Sequence, residues 1–405
     1  MCIRDREIKT TAGIEVSDNV VTITQAGIYF ISGQSSDGMI VVDYEGEDEV
    51  TLILNGLHLK SQTGPAVYIK KSGDANIFLV EHSKNFIADA KQYNPKFKEK
   101  VTGTIYSTAD LDILGKGSLT VYGNYNDAIV SKDDLYITDA TLGVHSVDDG
   151  IRGKDSLEIE NANIQNTAKG DGLKSDNKES EEKSYIRIAS TTMEISAGGD
   201  AITAQNIIDI ESGDITISSS YEGIEARQLN IYDGSIYIRS DDDSLNVVDK
   251  IARLNNRRTV VNLNIYGGEI TLFAGDDGID SNGQVLIAGG VLTVFVKNTG
   301  DGRDVVDHDA DFTIKGGEVI ALGFEEGSKP SENSTQHSIL LYMPDIQPVG
   351  TAIRIIDEDT EEELLHLTPD EKFRSILFSS PDLQLGGNYT FYLDDTVYTQ
   401  LLLLA

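Results

Sequence analysis

Acidic residues recur at a fixed interval through the middle of the sequence, usually followed by Gly or Ala and then an aliphatic residue. Asp127, Asp149 and Asp171 are 22 positions apart, and so are Asp200 and Glu222. A repeating fold would bring these carboxylates side by side, where hard divalent cations take their oxygens as ligands. Paired carboxyl groups also catalyse glycoside hydrolysis, which needs one of the two to stay protonated. No feature of the sequence identifies such a protonated carboxyl group. The pattern therefore points first to cation binding.

Short alternating hydrophobic runs follow the acidic units and predict β-strands. Leu135 and Ile137 belong to one such run, and Leu142 and Val144 belong to the next. With the short strand at the acidic unit itself, each repeat has three strands separated by turns. A repeat of about 22 residues is typical of one coil of a solenoid. We therefore predict an all-β parallel β-helix over residues 61–325.

The two ends of the chain depart from this pattern. Residues 1–60 begin with MCIRDR, which resembles translated adapter sequence. The strand-like runs that follow in this segment predict an N-terminal cap. Residues 339–405 contain runs that predict a small C-terminal antiparallel β cap. No apolar leader precedes the repeats, so we expect any export signal to lie outside this chain.

Charge and composition narrow the class of partner. The 405 residues include 67 acidic and 33 basic side chains, a net charge of −34. Nucleic acid is excluded as a partner because phosphate binding needs a basic surface. No run is long and apolar enough for a transmembrane segment, and the single cysteine, Cys2, excludes an internal disulfide framework. We expect a monomer that is extracellular or attached to the cell surface.

Stacked carboxylates need charge compensation. In a parallel helix equivalent residues lie about 4.8 Å apart, where two unit charges repel by roughly 3.5 kcal/mol at an effective dielectric near 20. Ca²⁺ is the expected ion because it accepts many oxygen ligands in loose geometry. Alternatively, the acids only fill turns, where Asp bonds its own backbone. The predicted ligands are Asp148, Asp149, Asp171, Asp176, Asp200, Glu222, Asp242, Asp243, Asp276, Asp277, Asp280, Asp304 and Asp307.

Several of these repeats resemble a known family. SVDDGIRG at 146–153, KGDGLKSD at 169–176, AGDDGIDS at 274–281 and the tail SILFSSP at 375–381 are similar to bacterial carbohydrate-binding domain proteins. The resemblance runs from about residue 30 to residue 400. It implies a right-handed parallel β-helix, similar in architecture to the pectate-lyase-type polysaccharide lyases, with bound calcium. It also implies binding of cellulose or acidic polysaccharide rather than an established catalytic activity.

A binding protein with this charge needs local features that attract a polyanion. Calcium shared with sugar carboxylates is one, and the basic stretch with Lys250, Arg253, Arg257 and Arg258 is another. Exposed tyrosines such as Tyr221 offer rings to sugars, although each also serves to cover a strand edge. The absence of Trp argues against a flat aromatic platform for crystalline cellulose.

The alternative is a calcium-dependent polysaccharide lyase that acts on polyuronate by β-elimination. That reaction needs a metal to acidify the C5 proton and a base to remove it. Lys174 is the candidate base, with Arg152 beside it. The competing interpretation is that Lys174 forms an ion pair with neighbouring carboxylates. These would raise its pKa, which is the wrong direction for a base.

Overall fold

The computed structural model describes residues 2–3, 13–97, 100–250, 260–297, 304–325 and 329–403. The chain forms two compact units, residues 1–226 and 227–405. Every element with defined bounds is a β-strand, as predicted, and Lys250, at the edge of the described residues, is helical. Among these residues no helix has the length and apolar character that a membrane crossing requires.

The described residues of the first unit form twenty-five strands. They are β1 (Cys2–Ile3), β2 (Ile14–Ser17), β3 (Val20–Ile23), β4 (Gly27–Ser35), β5 (Met39–Asp43), β6 (Val50–Lys60), β7 (Val67–Lys71), β8 (Ala75–Leu79), β9 (Lys84–Ala88), β10 (Gly103–Ser107), β11 (Leu111–Leu114), β12 (Ser118–Gly123), β13 (Asp127–Ser131), β14 (Asp134–Thr138), β15 (Thr141–Ser146), β16 (Ile151–Gly153), β17 (Ser156–Glu160), β18 (Asn163–Thr167), β19 (Leu173–Ser175), β20 (Tyr185–Ala189), β21 (Thr191–Ser196), β22 (Ile202–Ala204), β23 (Ile207–Ile210), β24 (Gly213–Ser219) and β25 (Ile224–Ala226).

The second unit contains the remaining strands. They are β26 (Gln228–Ile231), β27 (Ser235–Arg239), β28 (Leu245–Val247), β29 (Asn262–Ile265), β30 (Glu269–Ala274), β31 (Ile279–Ser281), β32 (Gln284–Ile287), β33 (Val291–Val296), β34 (Asp307–His308), β35 (Phe312–Ile314), β36 (Glu318–Gly323), β37 (Ser338–Gln347), β38 (Ile353–Asp357), β39 (Glu363–Leu367), β40 (Phe373–Ser379), β41 (Asn388–Leu393) and β42 (Thr396–Leu402).

Three columns of parallel strands build the first unit. One runs through β7, β10, β13, β16, β19, β22 and β25. A second runs through β8, β11, β14, β17, β20 and β23. The third runs through β9, β12, β15, β18, β21 and β24. Parallel pairing already begins with β3 and β5 and with β4 and β6. The predicted parallel all-β arrangement is confirmed.

Aliphatic side chains form rows through the interior of these columns. Leu135 pairs with Leu157 and Leu157 with Ile186, and all three are fully buried. Ile129 and Ile151 pair in the same way in the column of acidic units. Full burial of such a side chain contributes about 1.5–3 kcal/mol. The rows fix the register, because a one-residue slip would turn every aliphatic side chain outwards.

The second unit repeats this arrangement and then changes strand direction. Its parallel columns are β26–β29–β32–β35, β27–β30–β33–β36 and β28–β31–β34. The strand β40 then pairs antiparallel with both β36 and β37. A four-stranded antiparallel sheet of β39, β38, β41 and β42 follows. An apolar cluster that includes Phe373, Phe378 and Phe391 packs this end of the unit.

Candidate functional site

The acidic units of the first unit lie one above another and are joined by hydrogen bonds. The backbone N–H of Asp149 donates to Oδ1 of Asp127 at 3.2 Å. The N–H of Asp171 donates to Oδ1 of Asp149, and that of Asp200 to Oδ1 of Asp171, both at 3.0 Å. Each carboxylate thus accepts the amide of the acidic residue in the next repeat. We call this arrangement the carboxylate ladder.

The small residue after each acid is required by the tight corner that the ladder makes. A Cβ on Gly172 would lie 2.5 Å from the carbonyl oxygen of Ala201 and 2.7 Å from a methyl group of Ile195. Such contacts force the backbone to shift, so a side chain here would disturb the stacking of repeats.

One cation neutralises part of the ladder in the first unit, and a second pairs with an acid beside it. Lys174 Nζ lies 2.7 Å from Asp171 Oδ2 and 2.9 Å from Asp149 Oδ2. Burial opposes the charge of Lys174, but the two carboxylates outweigh it and raise its pKa above the ordinary value. The guanidinium of Arg152 donates to both carboxylate oxygens of Asp176, at 2.7 and 2.9 Å. Asp176 is therefore engaged in an ion pair.

Two groups of three carboxylates near the ladder of the first unit have the spacing of a cation site. Oxygens of Asp127, Asp148 and Asp149 lie within 4.8 Å of one another, and so do oxygens of Asp200, Glu222 and Glu225. Two ligands of one Ca²⁺, each about 2.4 Å from it, are at most about 4.8 Å apart. The geometry therefore suits one ion in each group.

The chemistry of the first group also fits a cation. Asp127 is 2% exposed. Burial, followed by the charge of Asp149, raises the pKa of Asp127 to about 7. A bound cation would favour the ionised form of the same carboxyl group. Lys174 competes for Asp149, since its ammonium group already contacts Oδ2.

The sequence interpretation found only part of these groups. It named Asp148, Asp149, Asp200 and Glu222 as ligands but omitted Asp127 and Glu225. Asp127 is the first carboxylate of the ladder and was visible in the same period. Glu225 lies within strand β25, which the turn pattern did not single out.

A third group lies at a different corner of the first unit. Oxygens of Asp110, Asp133 and Asp134 approach within 4.8 Å, and all three residues are half-buried. The Asp134 N–H donates to Asp110 Oδ1 at 3.1 Å, and Ser156 Oγ donates to Asp134 Oδ1 at 2.6 Å. Burial, with repulsion from neighbouring acids, raises the pKa of Asp133 to about 6. The sequence carries a sign of this group, because Asp110 and Asp134 directly precede the first residues of two hydrophobic runs, Leu111 and Leu135. The structure pairs these two leucines in register.

The second unit has its own carboxylate ladder. The N–H of Asp277 donates to Asp243 Oδ1 at 2.9 Å, and that of Asp304 to Asp277 Oδ1 at 2.5 Å. Burial is the main cause that raises the pKa of Asp243 to about 7 and that of Asp277 to about 8. In the described part of the chain no lysine or arginine forms an ion pair with either carboxylate.

The other predicted ligands of the second unit act on this ladder through their charge. Asp280, Asp242 and Asp276 repel the carboxylate of Asp243. Asp276 and Asp307 do the same to Asp277. Asp307 is exposed, whereas Asp242, Asp276 and Asp280 are half-buried. The predicted acids are therefore close enough to influence one another.

The predicted sugar contacts lie on the surface where they can be placed. Lys250 is exposed, and Tyr221 is 53% exposed. Arg253, Arg257 and Arg258 lie outside the described residues.

The columns of parallel strands with acidic corners make this an all-β protein with parallel sheets. Comparison with known proteins identifies its family. The model of the carbohydrate-binding domain-containing protein family matches residues 17–256 and 208–336. The chain therefore belongs to this family, and the resemblance seen in its repeats is confirmed.

One relative and one solved structure illustrate the similarity. A carbohydrate-binding domain-containing protein of Acetivibrio thermocellus is 34% identical over 227 residues, which is 55% of this chain and 79% of the relative. A solved structure described as a polysaccharide lyase-like protein from C. thermocellum, gadolinium derivative, has a TM-score of 0.52 and 33% identity. The match covers 55% of this chain and 91% of the chain in that structure.

Proposed function

We propose that this protein binds an acidic cell-wall polysaccharide outside the cytoplasm and holds Ca²⁺ in its acidic corners. Membership of the carbohydrate-binding family carries the first part of this proposal. The sugar is a polyuronate rather than cellulose, since the 17 tyrosines are accompanied by no tryptophan that would form a flat platform. The fold that presents the site is a right-handed parallel β-helix with about 22 residues per coil.

Calcium binding is supported by the three-carboxylate groups. Asp127, Asp148 and Asp149 would hold one ion, and Asp200, Glu222 and Glu225 a second. The gadolinium derivative of the similar structure agrees with this idea, because Gd³⁺ is a hard ion that prefers oxygen ligands, as Ca²⁺ does. When bound, calcium would neutralise the carboxylates and offer an open position to a sugar carboxylate. The chain's own residues supply the acidic corner and its hydrogen bonds.

The geometry favours binding over β-elimination. Lys174 contacts two carboxylates and its pKa is raised, so it is held as the ammonium ion and cannot accept a proton. Arg152 is fixed by Asp176. If polygalacturonate with calcium gave unsaturated products that absorb in the ultraviolet, and Lys174→Ala abolished them, the lyase function would replace the binding function.

Retention on an immobilised polysaccharide tests the proposal. We expect the protein to be retained by polygalacturonate in calcium, and less strongly after chelation. Cellulose should retain it weakly. Neutralising Lys250, Arg253, Arg257 and Arg258 together tests the basic stretch as a further contact with the polyanion. Failure of the unmodified protein to bind any acidic polysaccharide would refute the proposed function.

A further inference from the structure

A row of aromatic side chains crosses the outer face of the first unit. His58 of β6, Phe86 of β9, Tyr122 of β12 and His145 of β15 have successive ring centroids 4.5, 5.5 and 4.5 Å apart. Their ring planes differ by 20°, 34° and 27°. His58 and Tyr122 are exposed, and the other two are half-buried. Neither the carboxylate ladders nor the fold accounts for this aromatic row.

A groove of about 540 Å³ opens beside the aromatic row. Its volume is in the range of small-ligand sites, about 300–1,000 Å³. Phe86 and Tyr122 form one side of it, and Lys60 Nζ lies 5.6 Å from the centre of the Phe86 ring. The polar residues that also line it are Lys60, Ser61, Gln62, Asp89, Lys91, Gln92 and Asn124.

Hydrogen bonds fix the far wall of the groove. The buried carboxylate of Asp89 accepts from the Tyr93 hydroxyl at 2.8 Å and from the Asn124 backbone N–H at 2.6 Å. Asn124 Nδ2 donates back to the Asp89 carbonyl at 3.0 Å. Tyr93 in turn stacks on Tyr125, with centroids 4.0 Å apart. The groove is therefore formed before any ligand arrives, which lowers the entropic cost of binding.

The groove carries two ammonium groups in a strongly acidic protein. Lys60 and Lys91 line it together with one acidic residue, Asp89, whereas the whole chain carries a net charge of −34. Asp37 lies at its edge, where it accepts from the Gln62 backbone N–H at 3.1 Å. Exposed charges further away than about 8–10 Å are largely screened at moderate ionic strength. Lys60 and Lys91 are therefore the groups that attract an anion, while Asp89 accepts hydrogen bonds from Tyr93 and Asn124.

The orientation of the rings selects the kind of sugar. Phe86 and Tyr122, the two rings that line the groove, each lie between two neighbouring rings of the row, so the groove meets their edges. Aromatic edges carry partial positive charge and faces partial negative charge. The groove therefore offers positive edges, ammonium groups and amides, which suit carboxylate and hydroxyl oxygens. It offers no free face on which the apolar side of a neutral glucan would stack.

We propose that this groove binds a short stretch of polyuronate, with sugar carboxylates paired to Lys60 and Lys91. Hydroxyl oxygens of the sugar contact the aromatic row and the amide of Asn124. This assignment rests on the proposed function and locates its sugar site.

Calorimetric titration of the full chain with an oligogalacturonate, in calcium throughout, tests the assignment. The variant Lys60→Met/Lys91→Met keeps both apolar stems and should weaken binding at least about tenfold, because two charge-assisted contacts are lost. The matched control is Lys70→Met/Lys71→Met. It changes the net charge equally within the same segment, and these lysines pair with Asp43 and Glu45 on another surface. Its affinity should equal that of the unmodified protein.

Three results would overturn the assignment. One is unchanged affinity in Lys60→Met/Lys91→Met while the unmodified protein binds, which would leave the proposed function intact. Another is equal binding of a neutral cello-oligosaccharide, which would contradict the charge argument. The third is absence of binding by the unmodified protein, which would refute both the groove and the proposed function. Equal thermal unfolding of the variants would show that an affinity change is not a folding defect.

Discussion

The two carboxylate ladders share their hydrogen bonds and differ in how their charge is balanced. In both, an aspartate oxygen accepts the amide of the next acidic residue, as Asp149 does from Asp171 and Asp243 does from Asp277. In the first unit Lys174 bridges Asp149 and Asp171. In the second, the described residues provide no such lysine, and burial, with repulsion from neighbouring acids, raises the pKa of Asp277 to about 8. The same backbone arrangement thus occurs with a lysine beside its carboxylates and, in the second unit, with a carboxyl group that favours its protonated form.

The largest expected effect comes from removing the fixed cation. Lys174→Met should lower the free energy of unfolding by about 3 kcal/mol, because breaking a buried ion pair leaves uncompensated charge. Chemical denaturation at pH 7.5 measures this loss. The matched control is Lys169→Met, an exposed lysine nearby. Equal stability of the two variants would show that Lys174 does not balance the ladder.

Calcium should produce the next largest effect. An ion that binds only the folded state at about 100 times its Kd adds about 2.7 kcal/mol to the stability. We expect calcium to raise the melting temperature and Asp127→Asn to reduce that rise. Asp345→Asn, an exposed acid far along the sequence, is the control. A melting temperature indifferent to both calcium and chelator would remove the metal from the proposal.

The pH dependence of the calcium-free protein follows from carboxyl groups with raised pKa values. The second ladder contributes two of them, and Asp127 of the first ladder, with a pKa of about 7, acts in the same direction. Asp243 and Asp277 have folded pKa values of about 7 and about 8, above their ordinary 3.8. The folded state therefore binds protons more tightly than the unfolded state, and stability falls as pH rises from about 4 to about 8. We expect about 2 kcal/mol less stability at pH 8 than at pH 5, after allowance for solvent screening.

Denaturation in chelator at the two pH values measures this difference, and Asp277→Asn should reduce it. Carboxylates with lowered pKa values, such as Asp155, stop stabilising the folded state only when the pH falls below their ordinary pKa. They therefore do not change the stability between pH 5 and pH 8. A stability that rose between pH 5 and pH 8 would contradict the assignment of raised pKa values.

The smallest and most specific effect is a difference of size between two equivalent substitutions. Asn keeps the acceptor oxygen of Asp and removes the charge. In chelator at pH 8, Asp277→Asn should stabilise by about 1 kcal/mol, because it relieves repulsion. Burial raises the pKa of Asp149 as well, but Lys174 offsets part of that effect, so Asp149→Asn should stabilise less than Asp277→Asn. Equal stabilisation by both, measured by denaturation, would show that the two ladders are not balanced differently.

The period of the sequence predicted the ladders because nothing is inserted between several of the acids. Asp127, Asp149 and Asp171 keep a spacing of 22, so their stacking is visible without coordinates. The charge balance was less visible. Lys174 reaches Asp171 three positions before it and Asp149 in the previous repeat, and only the fold brings the second contact.

The aromatic row was not predictable in the same way. Its members are separated by 28, 36 and 23 positions, from His58 to Phe86, Tyr122 and His145. The segment between β9 and β10 lengthens the chain between Phe86 and Tyr122. Strand pairing sets His58 opposite Phe86 and Tyr122 opposite His145, and Tyr122 lies two residues beyond Thr120, the partner of Phe86. Insertions at corners change sequence distance without changing register, so a search for a fixed period passes over such a row.

Asp127, Asp149, Asp171, Asp243 and Asp277 each accept the amide of the following repeat, so the repeat is the unit by which the molecule can lengthen. Duplicating or deleting one whole repeat keeps these acceptors matched to amides, whereas cutting through a repeat leaves one of each without its counterpart. Relatives of different length should therefore differ by complete repeats, and designers who wish to lengthen the columns of parallel strands can join repeats at these aspartates.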